Sequence, residues 1–99
     1  MRVLLAIGCN EYNEADSLTS AELDAQRIFN ALVTAKPSWY DEDRSRLLLS
    51  PALNDVRSVL RDMLFTGPTI ETFTFFFAGH GGVHAGSFYM WLKDTMKTA

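Results

Sequence analysis

Two short apolar runs limit what this chain can fold into more than any other feature. Residues 3–7 are apolar without alternation, and residues 73–78 form the most hydrophobic stretch of the sequence. The first run is typical of a strand buried on two faces in a parallel sheet, and the second is too short for a helix between its flanks, so we expect a strand there as well. Parallel strands need crossover connections, so we expect helices between them.

Helical signals lie between these runs. Thr19 and Glu22 have capping-box spacing, which predicts that a helix begins there. The apolar positions that follow recur at helical spacing: Ala21, Ala25, Ile28, Phe29 and Leu32. Residues 47–49 predict a short second strand.

A second helix is predicted to start at Pro51, at the first helical position, and to end at Gly67 and Pro68. Its apolar stripe consists of Leu53, Val56, Leu60, Met63 and Leu64. The order is strand, helix, strand, helix, strand, which predicts a single α/β domain over residues 1–99 with right-handed crossovers. We interpret Trp39 and Tyr40 as a lid over the first helix and residues 41–43 as a solvated loop.

Composition excludes several classes of function. Nine basic and twelve acidic residues give a net charge of −3, and the basic residues are dispersed, so a nucleic-acid or anionic-membrane partner is not expected. No leader or membrane-spanning pattern is recognised. The single cysteine cannot form an internal disulfide, and we expect a cytoplasmic protein.

Sites in such sheets lie beyond the carboxyl ends of the strands, which here are residues 8–13 and 79–86. The second segment is glycine-rich and contains both histidines, His80 and His84. Glycines let backbone amides approach an oxyanion, and an imidazole directly after a buried strand is held rigidly enough to act as a base. The alternative is a tight turn that merely contains histidines.

The sequence resembles the amino-terminal part of the caspase-like cysteine peptidases, nearer to their metacaspase and bacterial members than to animal caspases. The matching segments are residues 3–12, 18–25, 75–81 and 90–94, and the phenylalanine-rich strand leading into Gly79, His80 and Gly81 is the most specific of them. The resemblance implies a three-layer parallel sheet of flavodoxin-like topology, of which this chain carries the βαβαβ portion. It also implies that His80 is the catalytic base and that the Gly81 amide belongs to the oxyanion hole.

The chain departs from the family pattern in two ways. The family nucleophile is a cysteine roughly 50 residues after the histidine, whereas this sequence ends at Ala99, so the expected partner is a carboxyl-terminal segment that carries the cysteine. Leu18 stands where animal caspases have an arginine that binds substrate aspartate, so aspartate specificity is not expected. We place Asn10, Leu18 and His84 in the cleft for a polypeptide substrate.

Other interpretations stay open beside this one. Cys9 is a candidate partner for His80 in an unusual dyad, although a lone cysteine is more often a small buried hydrophobe. A zinc site from His80, His84, Asp94 and Cys9 is disfavoured, because the glycines argue against a helix that would bring the imidazoles together; no metal or cofactor is expected.

The sequence also lacks the nucleophile elbow of lipase-type hydrolases and the spaced glycines of a dinucleotide site. A second class of function is a non-catalytic caspase-like module that binds a partner. The resemblance places the first strand between the second and the third. The outer edge of residues 73–78 is then unpaired and is expected to form a strand-edge dimer or to pair with the carboxyl-terminal segment.

Overall fold

The computed structural model describes residues 1–96 and contains two α-helices and five strands in that range. The elements in chain order are β1 (Arg2–Gly8), α1 (Ala21–Phe29), β2 (Arg46–Leu49), α2 (Leu53–Phe65), β3 (Thr72–Ala78), β4 (Gly81–His84) and β5 (Ser87–Met90). The expected end of the domain at Ala99 lies outside the described residues. Neither helix in residues 1–96 is long and apolar enough to cross a membrane.

The main sheet has the order β2-β1-β3, and both pairings are parallel. The α/β class, the three parallel strands and the central place of β1 are therefore confirmed. The register pairs Gly8 with Ala78 and with Leu49, so all three strands end together at one edge. Within residues 1–96, β3 pairs with β1 alone in this sheet.

The alternation of β1 side chains divides the core between the two helices. Val3, Leu5 and Ile7 pack with Met63 of α2 on one face of the sheet. Leu4 and Ala6 pack with Ala25 of α1 and with Val33 on the other face. The fold therefore has three layers, and burial of β1 on both faces explains why its sequence shows no alternation.

The first helix differs from the sequence prediction at both ends. It begins at Ala21 rather than Thr19, and Ser20 at the N-cap makes no side-chain capping bond; instead the Asn10 side chain supplies the acceptor for the Glu22 amide. A π-helical turn at Asn30–Thr34 follows the helix. Its extra residue per turn shifts the buried position from Leu32 to Val33, which is fully buried while Leu32 is exposed.

The second helix also begins later than predicted, at Leu53 rather than Pro51. Two carboxylates supply acceptors at its start: Asp55 accepts from the Ala52 amide and Asp94 accepts from the Leu53 amide, each at 3.0 Å. The predicted end before Gly67 and Pro68 is confirmed. Val56, Leu60 and Met63 of the predicted stripe pack on the sheet, whereas Leu53 and Leu64 stay partly exposed.

Of the two residues predicted to cover the first helix, only Tyr40 packs on that side of the sheet. Tyr40 packs into the α1 face of the core and its hydroxyl lies 3.0 Å from the Thr74 hydroxyl. Trp39 is 77% exposed. The Arg2 guanidinium carbon lies over its ring, 5.3 Å from the ring centroid. Trp39 therefore does not cover α1.

Candidate active site

The site lies where β1 and β3 end side by side. The amide of Cys9 donates to the carbonyl of Ala78 at 2.9 Å, which extends the β1–β3 ladder by one bond beyond the strands. His80 follows two residues later and is half-buried. The segment after β1 and the segment after β3 thus meet at the carboxyl edge of the sheet, where sites of α/β proteins lie.

The His80 ring is fixed by a backbone carbonyl. Its Nε2 lies 2.9 Å from the carbonyl oxygen of Asp16. A carbonyl oxygen can only accept, so Nε2 must carry the hydrogen, and in the neutral ring the free lone pair is then on Nδ1. Nδ1 is therefore the basic nitrogen of this imidazole.

Two aromatic rings flank the imidazole. The centroid of the Tyr12 ring lies 4.8 Å from that of His80, at an interplanar angle of 52°. The Trp91 ring lies on the hairpin side at 6.2 Å and 58°, and the Trp91 amide donates to the His80 carbonyl at 2.9 Å. Both the ring and the backbone of His80 are held, which is what a positioned general base requires.

The segment with the two histidines is not a loop, as the sequence suggested, but the start of a hairpin. The strands β4 and β5 pair antiparallel, with Gly81 opposite Met90 and His84 opposite Ser87. Ala85 and Gly86 connect them with φ of 51° and 80°, the two positive values that a type I′ turn needs. The glycines of β4 hid this strand because glycine is depleted in strands.

Gly81 lies against the Phe88 ring of the hairpin. A Cβ there would lie 2.6 Å from Cζ of Phe88. The bond from Trp91 to His80 makes their pair a hydrogen-bonded one, and such pairs alternate along an antiparallel ladder. Gly81 is therefore at a non-hydrogen-bonded position, and its N–H points away from β5.

His84 lies apart from His80. It is exposed on β4 and lines an open groove of about 860 Å³ together with residues of β5 and the segment that follows it. Extended backbone rises about 3.3 Å per residue, so four residues separate the two histidine Cα atoms by roughly 13 Å. This spacing is too large for two imidazoles to bind one ion.

Asp94, another residue of the zinc hypothesis, has a structural role at the start of α2. Asp94 accepts from the α2 amide of Leu53, and no group of three or more His, Cys, Asp or Glu side chains in residues 1–96 is arranged to hold a metal ion.

Cys9 is fully buried. Burial raises the pKa of its thiol above the ordinary value, although side-chain hydrogen bonds to Tyr12 and Ser50 oppose the shift, and the thiol donates to the carbonyl of Glu11 at 3.4 Å. A thiol is nucleophilic only as the thiolate and only where substrate reaches it. The geometry therefore counts against the Cys9–His80 dyad.

Asn10 and Leu18 lie at the two ends of the loop after β1. The side-chain oxygen of Asn10 accepts from the Glu22 amide at 3.0 Å, and its carbonyl accepts from the Leu18 amide at 2.8 Å. Asn10 thus closes the loop and caps α1. Leu18, whose amide makes the closing bond, is half-buried.

Three residues that sequence reasoning missed hold this loop in place. Ser50, with φ of 48°, accepts from the amides of Asn10 and Glu11 at 3.1 Å each and donates to the Glu22 carboxylate. Tyr12 and Asp16 contact His80. Only Tyr12 carried a sequence signal, as an aromatic residue in the polar segment between β1 and α1.

No family model, no curated protein and no solved structure gives a significant match to this chain.

Proposed function

We propose that this chain is the histidine-bearing half of a caspase-like cysteine endopeptidase that acts on polypeptides in the cytoplasm. The observation that carries the proposal is the His80 imidazole, whose Nε2 is tied to a backbone carbonyl and whose Nδ1 is left as the base, at the end of β3. The topology β2-β1-β3 is compatible with the first half of the caspase-like sheet.

The proposal puts the nucleophile beside the edge of β3 that no strand of residues 1–96 pairs with. A fourth parallel strand that pairs with β3 ends at the same edge of the sheet as His80. A cysteine at its carboxyl end then lies next to the imidazole. Phe73 and Phe75 are partly exposed at this edge, and the carboxyl-terminal segment that carries the cysteine is the proposed partner that covers them.

The proposed reaction uses both groups that follow β3. Nδ1 of His80 takes the thiol proton, and the thiolate attacks the scissile carbonyl carbon. The resulting oxyanion accepts a hydrogen bond from the outward N–H of Gly81. The imidazolium then protonates the leaving amine as the C–N bond breaks, and water hydrolyses the acyl-enzyme in the same way.

A non-catalytic module that recruits a partner strand is the second candidate, favoured by the same unpaired β3 edge. Labelling with a peptide fluoromethylketone, with and without the downstream polypeptide, distinguishes the two. The peptidase predicts covalent labelling of a downstream cysteine that is lost in His80→Ala. A complex that forms through β3 and never reacts contradicts the peptidase and supports the module.

A further inference from the structure

The end of the β1–β3 ladder contains a side chain in place of a backbone bond. After the bond from Cys9 to Ala78, one more step of the parallel ladder pairs the His80 amide with the Cys9 carbonyl. Instead, the His80 amide donates to the Tyr12 hydroxyl at 2.8 Å, and that hydroxyl donates to the Cys9 carbonyl at 2.9 Å. The phenol oxygen is inserted between the two backbone groups.

We propose that Tyr12 is a positioning residue for His80, with its hydroxyl inserted as the last rung of the β1–β3 ladder. This inference rests on the proposed function only for its catalytic consequence. The inserted oxygen holds the ends of the two strands apart, so the chain leaves the sheet at Gly79 and carries the imidazole to Asp16. The Tyr12 ring packs on the same imidazole.

The space for this hydroxyl is provided by Gly79. A Cβ at Gly79 would lie 2.6 Å from the Tyr12 oxygen and 2.9 Å from Cζ of Phe77. Any other residue at this position therefore requires the Tyr12 hydroxyl and the Phe77 ring to move.

Two further features keep the hydroxyl in this role. Burial is the main reason that the pKa of Tyr12 is raised to about 12, so the phenol keeps the proton that it donates to Cys9 at all ordinary pH values. The segment that carries Tyr12 is itself fixed, because the Ser50 hydroxyl accepts from the amides of Asn10 and Glu11.

Tyr12→Phe tests the proposal, and Tyr40→Phe is the matched control. Both variants remove one part-buried hydroxyl from the same fold, but the Tyr40 hydroxyl contacts Thr74 rather than His80. Tyr12→Phe removes the oxygen that accepts from the His80 amide and keeps the aromatic ring that packs on the imidazole. Its hydrogen exchange, read by mass spectrometry at residue resolution, should become about tenfold faster. Tyr40→Phe should leave it unchanged.

Activity of the chain assembled with its downstream segment is the second readout. Tyr12→Phe should lower kcat by about 100-fold, as expected for a slightly misplaced base, with KM within about twofold. If the assembled protein has no peptidase activity, the proposed function fails, and faster exchange confined to His80 still supports the positioning role.

Unchanged exchange at His80 in Tyr12→Phe, or an equal increase in Tyr40→Phe, overturns the proposal. If Tyr12→Phe does not fold, Gly79→Ala provides the same test, because its methyl group displaces the Tyr12 hydroxyl and should expose the His80 amide in the same way.

Discussion

The Nε2 atom of His80 lies 2.9 Å from the carbonyl oxygen of Asp16, sixty-four residues earlier in the chain. This contact fixes the tautomer, since the carbonyl has no hydrogen to offer. We therefore predict that neutral His80 carries its proton on Nε2. The chain has two histidines, so selective ¹⁵N labelling resolves both rings by NMR. A mixed population at His80, like that expected at exposed His84, contradicts the assignment.

Cys9 should be inert in the folded chain. The thiol is buried and its pKa is raised, so the thiolate is scarce and out of reach. We predict slow reaction with a thiol reagent until denaturant is added, and no peptidase activity from the chain alone. Peptide cleavage by the purified chain that disappears in Cys9→Ala is the opposite result and restores the Cys9–His80 dyad.

Tyr12 should make the fold sensitive to alkali. Its pKa is raised from 10.0 to about 12 in the folded state, so its contribution to stability is complete below pH 10 and is lost as the pH rises towards 12. Urea midpoints at pH 8 and pH 11, both in a Cys9→Ala background, measure this loss. It should be smaller in Tyr12→Phe, while Tyr89→Phe, which alters an exposed side chain, should behave like the parent.

The edge of β3 that no strand of residues 1–96 covers should control association. The bond from Cys9 to Ala78 sets the alternation, so the amides of Phe73 and Phe75 point away from β1 and that of Thr74 points towards it. Phe75→Pro or Phe75→Lys should therefore reduce self-association of the chain, whereas Thr74→Pro disrupts the sheet itself.

Sedimentation velocity measures this effect, with Glu42→Lys as the control, because Glu42 of the 41–43 loop is exposed. A parent chain that is a stable monomer at high micromolar concentration contradicts the prediction.

The strands of the main sheet were predictable because local sequence decides them. Residues 3–7, and residues 73–78 apart from Thr74, are apolar without a helical period, and the structure places β1 and β3 over them. The start of α1 was not predictable in this way. The side-chain oxygen of Asn10 accepts from the Glu22 amide at the start of this helix. Asn10 lies twelve residues before Glu22, whereas a capping box joins residues three apart, so that pattern could not predict this contact.

The residues of the candidate site also divide into those that local sequence predicts and those that depend on contacts distant in the chain. His80 stood out because it follows a phenylalanine-rich run in a glycine-rich segment, and the structure places it at the carboxyl edge of β3, although no residue of β3 is fully buried. Asp16 contributes a carbonyl, which every residue has, and Ser50 contributes a hydroxyl from the end of another strand. The hairpin was missed because two of the four residues of β4 are glycine, which weakens any strand pattern.

The kinetics of two histidine variants in the assembled protein test the central claim most directly. The chain is combined with the proposed carboxyl-terminal segment, and His80→Ala is compared with His84→Ala for cleavage of a peptide substrate. The account predicts that His80→Ala lowers kcat by a factor of about 100 to 10,000 and that His84→Ala has a far smaller effect. Equal losses in the two variants, or full activity in His80→Ala, contradict the assignment of His80 as the catalytic base.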